Sequence, residues 1–109
     1  MSKTKISVVL LAASAAFFTS LEIHEGYSAK PYKDTGGVVT QGIGSTVKPN
    51  GQPIKMTDPS ITRKTAQKKA RVHVSKDEVA FRKSLQGVKL SQVEYDTYLD
   101  FTYNFGQAN

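Results

Sequence analysis

Six of the chain's eight glycines lie between Gly26 and Gly51, together with Pro31 and Pro49. Inside a helix, glycine costs about 1 kcal/mol relative to alanine and proline about 3 kcal/mol, so no helix runs through this segment. What remains between the breakers is β-type: Tyr27 to Tyr32 and Val38 to Ile43, joined by the turn sequence Lys33-Asp34-Thr35-Gly36-Gly37. The segment is expected to form a small antiparallel hairpin or three-stranded sheet. Pro49-Asn50-Gly51 and Asp58-Pro59 mark further turns.

The sequence on either side has helical spacing. Thr19 to Glu25 continues a helical stretch that Gly26 closes, glycine being the residue best suited to the position just past a last turn. From Thr62 to Gln86, Ala66, Ala70, Val74, Phe81 and Leu85 recur at intervals of three or four once Asp77 is placed at the missing step, which predicts one long amphipathic helix ended by Gly87. Ser91-Gln92-Val93-Glu94 is a capping box. It opens a third helix with Tyr95, Tyr98, Leu99, Thr102 and Phe105 on one face and Gly106 as its stop. Helices around one small sheet make the fold class α+β, and 109 residues suit a single domain.

Composition narrows the chemistry. Without cysteine there is no disulfide framework, thiolate metal site or cysteine nucleophile, and two histidines, His24 and His73, are too few to build a histidine metal site. No metal and no cofactor is expected. The net charge of +6 is unevenly spread: Thr46 to Leu90 holds eleven Lys or Arg against three acids, whereas Ser91 to Asn109 holds three acids and no base. The basic stretch favours anionic partners, with nucleic acid, anionic lipid and cell-wall polymers as the candidates.

At the amino terminus Lys3 and Lys5 precede Ile6 to Phe18, in which Ser7 and Ser14 are the polar residues. This is the order of an export signal, with Ala13-Ser14-Ala15 as a small-residue cleavage site, and it is shorter than the roughly 20 apolar residues of a stable membrane span. The alternative is an ordinary buried helix.

Three residues at the edges of the β-type segment have chemical potential. Glu25 ends the first helix, where the negative end of the helix dipole disfavours an ionised carboxyl group and suits a general acid. Asp34 lies in a turn whose donors favour its ionised form, and Thr40 follows on the next strand with a hydroxyl able to orient a water. Two carboxyl groups in contrasting surroundings are what glycoside hydrolysis requires; a separation of about 6.5 to 9.5 Å would leave room for the water and give inversion.

Glu25-Gly26, Pro31-Tyr32-Lys33-Asp34-Thr35-Gly36-Gly37 and Thr40-Gln41-Gly42-Ile43-Gly44 closely resemble the motif of phage-type lysozymes, glycoside hydrolase family 24. Leu90-Ser91-Gln92, Tyr95-Asp96 and Phe101 to Gly106 resemble that family's later segment, so the resemblance runs from about Thr19 to the end. It implies a lysozyme-like fold and hydrolysis of the β-1,4 bond between N-acetylmuramic acid and N-acetylglucosamine in peptidoglycan, with host lysis as the outcome. Glu25 would be the proton donor, Asp34 the second carboxylate and Thr40 the water-positioning residue. Tyr32 resembles a position that supports the hairpin near the cleft, and Gly42 and Gly44 let the strand bend or approach sugar. Ser45 stands where many members have histidine.

The resemblance also implies a division into residues 1–20, a signal or signal-anchor that is cleaved or released from the inner membrane, and residues 21–109, a catalytic domain whose carboxyl-terminal helical lobe is incomplete at Asn109. The expected partner is peptidoglycan, with transient inner-membrane association through the amino terminus, no nucleic acid, a monomeric state and a place of action in the periplasm and cell wall. The competing reading is a truncated, inactive relative that only binds wall glycan.

Overall fold

The glycine-rich segment folds as a two-stranded antiparallel sheet in the computed structural model, which describes residues 4–108. Its strands are β2 (Ser28–Lys33) and β3 (Val39–Gly42), after β1 (Ile6–Ser7), a 3-10 turn at Val8–Leu10 and α1 (Ala15–Glu25). They are followed by α2 (Arg63–Ser84), β4 (Lys89–Leu90) and α3 (Gln92–Ala108). The chain gathers into two units, one formed by Ser20–His73, the other by the chain before Ser20 and from Val74 onward.

In the first unit, Gly26 takes φ +74° and its N–H bonds the Glu22 carbonyl at 2.7 Å, which ends α1 at Glu25 as its sequence requires. The hairpin pairs Tyr32 with Thr40 and Lys33 with Val39, and an irregularity between Ser28 and Tyr32 bends β2. No third strand joins it among the described residues; the chain past Gly42 instead makes isolated bridges, Gln41 to Ser45 and Val47 to Pro53. The prolines and turn residues there deny the run of N–H donors that a full strand needs. Leu21, Ile43, Ile54, Ala66 and Ala70 form the apolar core. The base of α2 is anchored to α1 through Glu22, which accepts from Gln67 Nε2 at 2.9 Å and faces Arg63 Nε at 3.6 Å.

In the second unit, β1 pairs antiparallel with β4, Ile6 opposite Leu90. The apolar run Ile6 to Phe18 is therefore a short strand, a 3-10 turn and the start of α1, rather than one continuous helix. Ser14 caps α1 by accepting from the Phe17 N–H at 3.3 Å, and its own hydroxyl donates to Asp96. Val8, Leu11, Phe17, Val74, Phe81, Leu90, Tyr95 and Leu99 fill the core.

Two helix readings change. The missing step on the buried face of α2 belongs to Glu78, which is 3% exposed, while Asp77 faces outward. Burial of a carboxylate is tolerated because Glu78 Oε1 accepts from the Ala13 N–H and the Tyr95 hydroxyl, both at 2.7 Å, and pairs with Arg82. α3 runs through Gly106 to Ala108, since one glycine weakens a helix without ending it. Of its predicted face, Tyr95 and Leu99 are buried, Tyr98 and Thr102 are exposed, and Phe105 lies outside the residues whose side chains are described. The capping box forms as expected: the Ser91 N–H donates to Glu94 Oε1 at 3.0 Å, and the Glu94 N–H to Ser91 Oγ at 3.2 Å. The bond from the Ser91 N–H foremost, and then the charge of Lys5 3.6 Å away, hold the Glu94 carboxyl below its ordinary 4.5.

Candidate active site

All three predicted site residues belong to the Ser20–His73 unit. Glu25 is the final residue of α1 and is half-buried. The space for its side chain exists because of one residue in the turn just past β3. Gly44 takes φ +66°, and a Cβ built there would stand 2.5 Å from Glu25 Oε2, 2.9 Å from Cδ and 3.1 Å from Cγ. The glutamate thus lies directly over a backbone that only glycine supplies, for conformation and for volume. No hydrogen bond or ion pair reaches its carboxylate among the described residues. A half-buried acid without a protein partner is unusual, and it is available to a ligand.

Thr40 sits in β3 opposite Tyr32 and is 5% exposed. Its hydroxyl donates to the Val38 carbonyl at 3.2 Å, so the oxygen's lone pairs remain as acceptors. Asp34 opens the turn between the strands and is exposed. One of its oxygens, Oδ1, accepts from the N–H groups of Gly36 and Val38, each at 2.9 Å, and its backbone exchanges bonds with Val38 and Gly37. This is the Asx geometry that Asp-x-Gly-Gly favours, and it aims the carboxylate without using its second oxygen. No hydrogen bond links Glu25, Asp34 and Thr40 to one another among the described residues; what the fold joins is Glu25 and Gly44, two residues past the strand that carries Thr40.

Two further residues shape the site, of which only the first escaped the sequence reading. Gln41, 3% exposed, donates both amide hydrogens, to the Ala29 carbonyl at 2.9 Å and the Pro59 carbonyl at 2.8 Å, and exchanges backbone bonds with Ser45 at 2.9 and 3.0 Å. It clips β2, β3 and the following loop together one turn before Gly44. The second is Gly42, where an added Cβ would meet Ala66 Cβ at 3.2 Å and Ile61 Cδ1 at 3.3 Å, so the hairpin lies close on the first turn of α2. A glutamine in a strand-like run carries no signal of such a role, whereas the Gly-x-Gly spacing did point to close approach. Tyr32 is 40% exposed rather than packed.

A groove of about 700 Å³ lies elsewhere, along α2 and α3, lined by Phe81, Leu85, Tyr98, Leu99 and Phe101 among others, and none of the three site residues contributes to it.

The family model for phage lysozyme matches residues 22–109. Among solved structures, an endolysin from Escherichia coli O157:H7 phage FAHEc1 superposes with a TM-score of 0.80 at 28% identity, covering 88% of this chain and 59% of its own. A variant of P22 lysozyme gives 0.73 at 28% identity, covering 92% of this chain and 67% of its own. The chain thus spans about three-fifths to two-thirds of the length of these two. No curated protein matches it by sequence.

Proposed function

Because the chain belongs to the phage lysozyme family, we propose that the Ser20–His73 unit carries the catalytic groups of a peptidoglycan-cleaving glycosidase. The reaction proposed is hydrolysis of the β-1,4 bond between N-acetylmuramic acid and N-acetylglucosamine in the wall of a phage host. The observation that carries the reading is the half-buried Glu25 carboxyl, seated on Gly44 and without a protein partner.

In this mechanism Glu25 gives its proton to the glycosidic oxygen as the bond to the anomeric carbon breaks. Asp34, held by the Gly36 and Val38 N–H groups through one oxygen, presents the other to the positive charge that develops on the sugar, or to the water that quenches it. Thr40 accepts a hydrogen from that water, its own hydroxyl proton being directed to Val38, and so orients the water's lone pair. Wall lysis, and arrival at the wall by way of the apolar amino terminus, belong to the same proposal. Among the described residues no helix is long and apolar enough to cross a membrane.

The test is release of reducing ends from purified peptidoglycan by this chain, beside Glu25→Gln, which keeps the shape and removes the proton donor. The reading requires release by the parent and loss of at least about a hundredfold in the variant. Equal rates for the two would remove Glu25 from the mechanism, and absence of release from the parent would refute catalysis by this polypeptide.

A further inference from the structure

Glu25 ends a helix and Thr40 lies on a strand, and since no hydrogen bond joins them among the described residues, the surrounding scaffold sets their separation. Both sides of the site are tied to one short segment, residues 59–61, just before α2. On the side of the acid, Tyr27, two residues past Glu25, donates its hydroxyl to the Ile61 carbonyl at 2.7 Å. On the side of the strand, Gln41, next to Thr40, donates from Nε2 to the Pro59 carbonyl at 2.8 Å and to the Ala29 carbonyl at 2.9 Å. The Ala29 carbonyl also accepts from the Ile61 N–H at 3.0 Å, which joins the two ties through β2. All of these residues belong to the Ser20–His73 unit.

Gln41 reaches the seat of Glu25 through its backbone as well. It exchanges N–H to carbonyl bonds with Ser45 at 2.9 and 3.0 Å, and the turn closed by that pair holds Gly44 beneath the Glu25 side chain. At 3% exposure the side chain is costly to bury, and only bonds to both of its acceptors offset that cost, so it settles in one position and takes the turn with it. An apolar residue, such as the buried Ile43 two positions on, fills space without choosing a height. We propose that Gln41 is a positioning residue: anchored on residues 59–61, it holds Gly44 and Thr40 at a fixed height against Glu25. Its bearing on the rate rests on the catalytic reading, whereas the geometry it imposes does not. A misplacement of about 1 Å between proton donor and reacting bond costs about a hundredfold in rate.

The experiment compares the full chain with Gln41→Met, which keeps the length of the side chain and removes both donors, and with Ile54→Val, a core change in the same unit that takes no part in these bonds. The first readout is the nuclear Overhauser effect between the Glu25 γ-protons and the Gly44 α-protons, which needs no catalysis. It is expected in the parent and in Ile54→Val and lost in Gln41→Met. The second is reducing-end release from soluble peptidoglycan fragments, where kcat should fall by about ten- to a hundredfold in Gln41→Met with KM within about twofold, and stay unchanged in Ile54→Val. Should circular dichroism show Gln41→Met unfolded, Gln41→Asn, one carbon too short to reach both carbonyls, takes its place with the same expectations. An Overhauser effect absent from the parent, or of parental strength in the folded Gln41 variant, overturns the proposal. So does a parental kcat in that variant, or an equal fall in Ile54→Val. Absence of release by the parent refutes the catalytic reading alone, and the Overhauser effect then decides the proposal by itself.

Discussion

Gly44→Ala puts the seat of Glu25 to a direct test. The new methyl meets two separate penalties. A φ of +66° is left-handed backbone, which costs a residue with a Cβ about 1 to 2 kcal/mol. The methyl would also stand 2.5 Å from Glu25 Oε2 and 2.9 Å from Cδ, so the side chain must leave its position, at about 1 to 2 kcal/mol more. Gly51 supplies the control: its φ is +86°, and nothing lies within 4 Å of the Cβ it would gain. Gly51→Ala therefore carries the backbone penalty alone, about 1 to 2 kcal/mol, against about 2 to 4 kcal/mol for Gly44→Ala. In thermal unfolding at neutral pH the second variant should melt lower than the first by several degrees, at about 4 to 8 °C per kcal/mol for a small domain. Repeating both substitutions in a Glu25→Ala background closes the cycle. The excess cost at position 44 should vanish there while that at position 51 persists. Equal costs at the two glycines, or an excess at Gly44 that survives removal of the glutamate, would refute the seating of Glu25.

Three further outcomes are expected. Glu78→Ala strips an acceptor from the Ala13 N–H, the Tyr95 hydroxyl and Arg82 at once and should cost about 3 to 5 kcal/mol in urea unfolding; Tyr95→Phe, which removes one of those bonds, should cost about 1 kcal/mol. Burial first, and then its bond to Glu78, raise the Tyr95 phenol from 10.0 to about 12. Its contribution to stability is thus complete below pH 10 and lost as the pH climbs towards about 12, and phenolate absorbance should show a step near that upper value that is absent in Tyr95→Phe. Ser91→Ala opens the α3 cap and should cost about 1 kcal/mol, with faster amide exchange at Glu94.

Much of this molecule was legible without coordinates because the relevant signals are local. Gly26 past Glu25, Ser91 three before Glu94 and the Asp34 turn each involve residues within one helical or hairpin turn, where backbone sterics and short-range hydrogen bonds decide the outcome. Glu25, Asp34 and Thr40 were found as a spaced set, and the fold places them in one unit. Long-range partners were not legible. Periodicity marks a position on α2 as inward but cannot tell which of two adjacent acids occupies it; Glu78 does, because the Ala13 N–H, 65 residues away, and the Tyr95 hydroxyl arrive to satisfy it.

The apolar run Ile6 to Phe18 illustrates the same division. Its composition has the order of an export signal, with a buried helix as the alternative, and carries no sign of the pairing with Lys89–Leu90, which depends on residues more than eighty positions distant. The sequence by itself determined where helices start and stop, where the chain turns and which side chains have chemical potential. Only the tertiary structure decided that Gly44 is the floor beneath Glu25 and that Gln41 clips the hairpin. Burial and close approach are properties of pairs of distant residues, and neither residue of such a pair encodes its partner alone.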